Sequence, residues 1–373
     1  MIAIDPETYN RLKNEFLKTN FKCYSKEYIE SAEGQNELEE HLVRRYDHAM
    51  NYTIPWVRGC FNLDGKTVLE IGCGSGSISA AFAQFTKHVY GYDIHETSIE
   101  AANARVNVLK INNADFILAK PAKIIADIKD KFIHEKVDVV LLHALLEHQT
   151  IDERIETLKT AWEIVDDNGI IIVSESPNRF SFYDDHSSLL HFFHMIPDEL
   201  ALLYYQKSPR SGFKDSLSGG LTISQEDALE RLARFGRGVS YHEFEIALGD
   251  IGDHVILDGY EPEIIQLRGG LREEEVFLYK YITKNKLNIP PAFAKRYLDI
   301  VFSKRKLSSQ AKAERAARLE SIMKTAADEE LFNLQKKLLH HESTLSWRIT
   351  APLRWGKHHF KTILKRWSSR EKV

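Results

Sequence analysis

Short apolar runs rich in β-branched residues recur between residues 66 and 174, and longer amphipathic stretches separate them. The runs are KTVLEI (66–71), HVYGYD (88–93), ADFILA (114–119), VDVVLL (137–142) and GIIIVS (169–174). The stretches 76–85, 98–110 and 151–165 have the length and apolar spacing of helices. Buried strands that alternate with helices are typical of βαβ units. The pattern therefore predicts an α/β fold with a doubly wound, mostly parallel sheet.

The regular alternation stops near residue 175, and the flanking segments have a different character. Possible strands follow near 241–258 and 275–282. The predicted domains are a helical N-terminal segment (1–60), an α/β domain with a lid insertion (61–285, the lid at about 175–222), a helical or coiled-coil extension (286–345), and a basic amphipathic tail (346–373).

The extension contains a short heptad pattern. Residues 306–345 have the composition of a long polar helix, and Leu331, Leu338 and Leu345 follow one another at seven-residue spacing. This spacing is typical of a coiled coil. We therefore expect residues 306–345 to join copies of the chain into a homo-oligomer.

The overall composition excludes several classes of protein. The chain has 373 residues, three cysteines and a net charge of −4. Three cysteines cannot form a disulfide framework, which predicts a reducing compartment. No apolar stretch approaches the roughly 18–20 residues that a membrane span needs, and the first residues lack a basic and apolar leader. We expect a cytoplasmic protein that is neither secreted nor transmembrane.

Charge is distributed unevenly, and residues 346–373 differ from the rest of the chain. They hold eight lysines and arginines and one acid, a net charge of +7 against −11 elsewhere. They also hold three of the five tryptophans. Such a mixture is typical of helices that bind anionic lipid, so we expect peripheral binding to the inner face of the cytoplasmic membrane. The alternative is that this segment docks on the chain's own acidic surface or on a partner subunit. No nucleic-acid-reading motif accompanies the basic residues, and no nucleic acid partner is expected.

The strongest local motif is a glycine-rich turn after the first predicted strand. Gly72, Gly74 and Gly76 have the spacing G-x-G-x-G, whereas a dinucleotide fingerprint would place its last glycine at Ser77. Glycines allow a sharp turn and a close approach of backbone N–H groups to a ligand. Asp93 ends the next strand, where a carboxylate can accept hydrogen bonds from both ribose hydroxyls. The combination predicts a site for an adenosine-type nucleoside.

These motifs resemble those of class I S-adenosylmethionine-dependent methyltransferases. VLEIGCGSG followed by VYGYD resembles their first motif and the acidic motif after it, and VDVVLLHALLEH (137–148) resembles their fourth-strand motif. The resemblance implies a Rossmann-like fold with S-adenosyl-L-methionine as the cofactor. It also implies that Glu70 and the glycines line the methionine end of the cofactor, and that Asp93 binds the ribose. The cofactor contacts expected on this basis are Glu70, Gly72, Cys73, Gly74, Gly76, Asp93, Ile94 and His143.

Methyl transfer to a hydroxyl needs alignment of the acceptor and removal of its proton, for which a histidine is suited. His148 follows the fourth strand at the carboxyl edge of the sheet, where ligands bind in open α/β folds. The segment after the fifth strand supplies His186, preceded by Asp184 and Asp185. We expect His186 to act as the base, oriented by Asp185 or Asp184, with His148 as a second catalytic residue.

Other roles are open to these histidines. Glu147 and His148 could serve only to cap or orient the following helix, and the lid histidines could pack among its aromatic residues. His186, His191 and His194 could also converge on a metal ion. Their spacing matches no metal-binding motif, so no metal is expected.

Two further resemblances concern the substrate. The Pro177-Asn178-Arg179 and Asp185-His186 segment resembles methyltransferases among bacterial surface-polysaccharide enzymes. Residues 343–354 resemble a segment that recurs in bacterial glycosyltransferases and methyltransferases of O-antigen or capsule assembly. They imply O-methylation of a sugar or glycolipid acceptor, in a surface polysaccharide or its precursor. The alternatives are a small-molecule or phosphate methyltransferase and a non-catalytic, cofactor-binding scaffold.

Overall fold

A seven-stranded sheet forms the centre of the protein. The computed structural model describes residues 4–325, and its strands follow the order β3-β2-β1-β4-β5-β7-β6. Their bounds are β1 (Thr67–Ile71), β2 (His88–Asp93), β3 (Ala114–Leu118), β4 (Val137–His143), β5 (Val165–Pro177), β6 (Val255–Leu257) and β7 (Tyr297–Ser303). The first five strands are parallel, and β7 is antiparallel to both β5 and β6. The predicted doubly wound, mostly parallel sheet is confirmed.

Helices precede the sheet, connect its strands and follow it. Within residues 4–325, no helix is at once long enough and apolar enough to cross a bilayer. The helices are α1 (Pro6–Lys18), α2 (Lys26–Glu30), α3 (Ala32–Glu39), α4 (Arg45–His48), α5 (Ile54–Arg58), α6 (Ser77–Ala83), α7 (Glu96–Leu109), α8 (Ile124–Phe132), α9 (Ile151–Ile164), α10 (Asp198–Tyr204), α11 (Ser211–Leu221), α12 (Gln225–Gly236), α13 (Tyr241–Leu248), α14 (Pro262–Leu267), α15 (Glu273–Lys284) and a last helix over 309–325.

Of the two regions expected to contain strands, one is a helix and the other is a helix in its first half. The stretch 275–282 lies in α15, whose three glutamates in the first turn favour a helix N-terminus and whose Glu275 side chain accepts from the Arg272 N–H. The first half of 241–258 is α13, and only Val255–Leu257 forms a strand. In both regions a few apolar residues fit the alternation of a strand as well as the spacing of a helix. Over so few residues a period of two and a period of 3.6 are hard to tell apart.

The boundary expected at residue 285 is also wrong. Tyr297–Ser303 forms β7, which pairs with β5 on one side and β6 on the other. The residues of this strand are buried from Leu298 to Phe302 because a strand inside a sheet is covered on both faces. The α/β domain therefore extends beyond 285, and helical structure resumes at 309–325.

The chain divides into two compact units, residues 1–313 and residues 314–373. The leucines expected to form a coiled coil, at 331, 338 and 345, lie outside the described residues, as does the basic tail.

Apolar side chains cover both faces of the sheet. Leu69 and Ile71 belong to the cluster on one face, whereas Val68 belongs to the cluster on the other, as the alternation of a strand requires. Both faces of the sheet are therefore covered by packed side chains. The glycine turn and the candidate catalytic residues lie instead at the carboxyl edge of the parallel strands. This is the edge at which open α/β sheets bind ligands.

The insertion after β5, here called the lid (residues 178–236), has a small core of its own. It extends beyond the expected limit of 222 because α12 packs against α11. The core consists of Phe193, Ala201, Leu202, Tyr205, Phe213, Leu217, Ala228 and Leu232.

Candidate active site

The glycine turn is closely packed at its ends and open in the middle. Gly72, Gly74 and Gly76 have φ values of 77°, 51° and 70°, a left-handed conformation that side chains disfavour. A Cβ atom on Gly72 would lie 2.7 Å from the Leu145 side chain, and one on Gly76 would lie 2.8 Å from Ala102. A Cβ atom on Gly74 would have no neighbour within 4 Å. The turn therefore leaves free space beside Gly74, where a ligand can approach the backbone.

Asp93 lies beside this turn at the end of β2. Its carboxylate accepts hydrogen bonds from the backbone N–H groups of Gly74 and His95, each at 2.8 Å. Burial alone would raise the pKa of Asp93, but these bonds and the His95 side chain outweigh it, and the pKa lies below its usual value. An ionised carboxylate with further lone pairs fits the acceptor role expected toward ribose hydroxyls.

Three other expected cofactor residues lie at the same edge. Glu70 is 1% exposed and accepts a hydrogen bond from Ser79, and burial raises its pKa to about 8. Cys73 is buried, and burial raises the pKa of its thiol well above the ordinary value, which makes it unreactive. Ile94 is 39% exposed directly after Asp93. At neutral pH these three residues give this edge one neutral carboxyl group and apolar side chains.

Arg105 of α7 ties the N-terminal helices to the glycine turn. Its buried guanidinium donates to the backbone carbonyls of Ser75 at 3.0 Å, Leu42 at 2.9 Å and His41. The Ser77 hydroxyl also donates to the His41 carbonyl at 3.2 Å. Residues 41–42 are thereby held against the cofactor turn. No local sequence pattern indicates the contact with residues 41–42, because they lie more than 60 residues from Arg105.

His143 lies at the end of β4 in a polar cluster. Its Nδ1 lies 2.8 Å from the Ser174 hydroxyl and its Nε2 lies 3.4 Å from a carboxylate oxygen of Glu175. Glu175 has a φ of 62°, and its backbone N–H donates to Asp299 at 3.1 Å. Arg268 contacts both acids, at 3.2 Å from Glu175 and 2.6 Å from Asp299. The cofactor contact expected of His143 stays a prediction.

The same cluster fixes the charge of Glu175. Burial would raise its pKa, but the positive neighbours, among them Arg268, lower the pKa to about 2. The carboxylate is therefore ionised at all working pH values and holds Arg268 and His143 in place. Arg268 and Asp299 are functional candidates that the sequence did not indicate, because no motif marks them and they lie about 100 residues after Glu175.

The turn after β4 presents Glu147 and His148. One oxygen of Glu147 accepts a hydrogen bond from the Ser176 hydroxyl at 2.9 Å, while the other, Oε1, is buried without a hydrogen-bond partner. Nδ1 of His148 donates to the Arg234 carbonyl at 2.9 Å. Its Nε2 lies 3.9 Å from Glu147 Oε1. Glu147 Oε1 and His148 Nε2 thus face one another, and the catalytic role expected of His148 stays a prediction.

Arg154 holds this turn in position. Its buried guanidinium donates to the backbone carbonyls of Glu147 at 3.3 Å and Arg237 at 2.9 Å. It also forms an ion pair with Glu243 at 2.8 Å. Residues 147 and 237 are joined directly as well, because the Arg237 N–H donates to the Glu147 carbonyl at 3.0 Å. The end of the lid is therefore attached to the turn that carries His148.

The lid brings His186 next to His148. The ring centroids lie 5.2 Å apart, and a Cβ atom on Gly236 would lie only 2.5 Å from His186 Nε2. Burial is the main cause that lowers the pKa of His186 below its usual value. The two histidines expected to be catalytic therefore meet at one place, one from the sheet edge and one from the lid.

The orienting role expected of Asp185 requires a correction. Its carboxylate accepts from the Tyr297 hydroxyl at 2.9 Å and pairs with Arg296 at 2.7 Å, and within residues 4–325 no hydrogen bond joins it to His186. Asp184 instead accepts from the His186 backbone N–H at 3.1 Å. Consecutive acids in a turn point in different directions, and here the second one points toward β7.

The other two lid histidines lie elsewhere. His191 packs against Tyr183 with ring centroids 4.9 Å apart, and His194 lies 3.1 Å from Asp184. The three lid histidines therefore do not converge. Among the described residues, the group able to hold a metal ion is Glu147, His148 and His186.

Comparison with protein families finds a match in the central region. Residues 62–207 match the family described as a methyltransferase domain. The match includes the glycine turn, Asp93, His148 and His186. S-adenosylmethionine is the cofactor of this domain, and the open space at Gly74 and the ionised Asp93 fit it.

Curated relatives share only part of their length with this chain. An uncharacterized RNA methyltransferase of Clostridium tetani is 32% identical over 77 residues, which are 21% of this chain and 16% of that protein. A probable cobalt-precorrin-6B C(15)-methyltransferase of Methanococcus maripaludis is 29% identical over 120 residues, which are 31% of this chain and 64% of that protein.

The solved structures to which this chain shows a partial likeness include two with bound S-adenosylhomocysteine (SAH). Magnesium protoporphyrin IX methyltransferase from Synechocystis is 20% identical, with a TM-score of 0.38, over 66% of this chain and 90% of its own. The plantazolicin methyltransferase BpumL is 18% identical, with a TM-score of 0.36, over 80% of this chain and 98% of its own.

Proposed function

We propose that this protein transfers the methyl group of S-adenosylmethionine to an acceptor oxygen held beside His148 and His186. The observation that carries the proposal is the arrangement of adjacent strands. Gly72 at the end of β1 packs against Leu145, three residues before His148 at the end of β4, and the lid adds His186. The cofactor turn and the histidine pair thus share one edge of the sheet, as transfer between two bound molecules requires.

Each group of residues around the site has a separate role in the proposed transfer. Bound S-adenosylmethionine supplies an activated methyl group, whose bond to sulfur breaks as its bond to the acceptor oxygen forms, and the electron pair of the broken bond goes to the sulfur. Asp93 and the glycine turn hold the nucleoside. The histidine pair faces the acceptor and promotes loss of its hydroxyl proton. The lid covers the site and limits the access of water.

The acceptor in this proposal is a sugar of a bacterial surface polysaccharide or of its lipid-linked precursor. Its support is the likeness of residues 177–186 and 343–354 to enzymes of that class. In the same proposal the basic tail, residues 346–373, keeps the enzyme at the cytoplasmic face of the membrane that carries the glycan.

Release of S-adenosylhomocysteine tests the proposal. The full chain is incubated with S-adenosylmethionine and with nucleotide-sugars or lipid-linked glycans, and the product is measured by mass spectrometry. We expect His186→Ala and His148→Ala to lower turnover about 100-fold or more while S-adenosylmethionine binding is retained. His191→Ala, in the same lid but away from the pair, is the matched control and should keep full activity.

Two outcomes would contradict the proposal. Full activity of His186→Ala would remove His186 from the mechanism. Tight cofactor binding without product from any glycan acceptor would favour a cofactor-binding scaffold or another acceptor class.

A further inference from the structure

The geometry points to a divalent transition-metal site formed by Glu147, His148 and His186. One ligand atom from each of these residues lies within 4.8 Å of the other two. Two of them come from the turn after β4 and the third comes from the lid. A metal ion would therefore join the lid to the sheet edge at the place where the acceptor is proposed to bind.

His148 is already set in the form that binds a metal. Its Nδ1 donates a hydrogen bond to the Arg234 carbonyl, so in the neutral imidazole the free lone pair is on Nε2. Metal-binding histidines are commonly held in this way, with the other ring nitrogen donating to a backbone carbonyl. The free Nε2 faces Glu147 Oε1 across 3.9 Å.

Glu147 supplies an independent observation. The residue is fully buried, and while Oε2 is held by Ser176, Oε1 has no hydrogen-bond partner. A buried carboxylate oxygen without a partner is costly, and a bound cation removes that cost. The Ser176 contact orients the carboxylate as outer contacts orient the ligands of metal sites.

The backbone makes room for the imidazoles. Gly236 has a φ of 121°, and a Cβ atom there would lie 2.5 Å from His186 Nε2 and 3.6 Å from His148. Any larger residue at 236 would push His186 aside. The His148 side chain remains 42% exposed, which leaves one side of the site open to a water molecule or an acceptor.

The donor set selects the class of metal. Two imidazole nitrogens and one carboxylate oxygen suit zinc and the other first-row divalent ions, whereas magnesium and calcium prefer oxygen ligands. Three protein ligands with an open position are typical of catalytic rather than structural zinc sites.

The role of the ion rests on the proposed function, although its binding does not. An ion bound by both histidines would take one ring nitrogen of each as a ligand, so the imidazoles would not act as bases. The ion would polarise the acceptor hydroxyl and the released proton would pass to water. Transfer of the methyl group to the acceptor oxygen would keep the electron balance of the proposed function, with the electron pair of the broken bond going to the sulfur.

Metal binding is measured directly on the full-length protein after removal of metals with a chelator. Titration with Co²⁺ is followed by visible absorption, and Zn²⁺ by calorimetry. We expect one equivalent of either ion to bind, and affinity at least tenfold weaker in His148→Ala, His186→Ala and Glu147→Gln. His191→Ala should bind as the wild type does. Because His148 is half exposed, its alanine variant tests the site even if Glu147→Gln fails to fold.

The outcomes separate this inference from the proposed function. Absence of stoichiometric binding, or equal binding by the wild type and the His148→Ala His186→Ala double variant, overturns the metal site whatever the activity. Stoichiometric binding lost in the three variants supports it, even if no methylated product has been found.

Discussion

A single substitution at Gly74 tests the role of the glycine turn, and Gly65 provides the comparison. Both have positive φ, 51° and 73°, and a Cβ atom at either would have no neighbour within 4 Å. Alanine at either position should therefore cost about 1 kcal/mol in the free energy of unfolding. Only Gly74 borders the cofactor site. Gly74→Ala should weaken S-adenosylmethionine binding at least tenfold in calorimetry, with Gly65→Ala as the control.

Similar cofactor affinity in the Gly74 and Gly65 variants would show that no ligand approaches the turn at Gly74.

Glu70 gives a prediction about pH. Because its pKa is raised from 4.5 to about 8, the side chain is largely protonated at pH 7. The cofactor carries a sulfonium and an ammonium group, and a nearby positive charge lowers the pKa of a carboxyl group. Binding at pH 7 should therefore release a proton, and affinity should rise as the pH approaches about 8 and then level off.

Calorimetry at pH 7 in two buffers of different ionisation enthalpy measures that proton. Glu70→Gln keeps a neutral, hydrogen-bonding side chain and should bind with no such release. Equal proton release by the variant and the wild type would assign the effect to another group.

Among the larger elements, the lid is stabilised by its own core and can be loosened independently. Leu202 is 6% exposed within that core, whereas Leu203, on the same helix, is 83% exposed. Leu202→Ala should destabilise the lid by about 2 kcal/mol and speed hydrogen exchange across residues 178–236. We expect a higher KM for the acceptor and an unchanged Kd for S-adenosylmethionine, while Leu203→Ala behaves as the wild type.

Unchanged exchange in the lid of Leu202→Ala, or an equal effect of Leu203→Ala, would contradict an independent lid core.

The elements also show which parts of the site a sequence can predict. The glycine turn and Asp93 belong to one βαβ unit, so these residues are close in the sequence as well as in space. Arg268 depends on partners that arrive by pairing of distant strands, and nothing near it in sequence marks the contact. The prediction that Asp185 orients His186 was wrong because the direction of the Asp185 side chain depends on β7. That strand was not predicted, since the residues around it mostly have the composition of helices.

For the whole molecule, the distribution of charge predicts attachment by one end. The tail of residues 346–373 has a net charge of +7, and each basic residue near an anionic bilayer contributes about 1 kcal/mol. The full chain should sediment with phosphatidylglycerol vesicles, and the truncation 1–345 should remain in the supernatant. Neutral phosphatidylcholine vesicles are the control for the lipid charge. Equal sedimentation of both proteins on anionic vesicles would contradict membrane binding by the tail.

The position of β7 also determines the order in which the protein can be completed during synthesis. β5 ends at Pro177, yet its antiparallel neighbour begins only at Tyr297. Until about residue 303 has left the ribosome, β5 is an uncovered edge strand, and such edges promote association with other chains. Glu175 also lacks Asp299 during that interval. The nascent chain therefore carries the cofactor turn well before the strand that covers β5 is made, and during that interval the β5 edge is open to association with other chains.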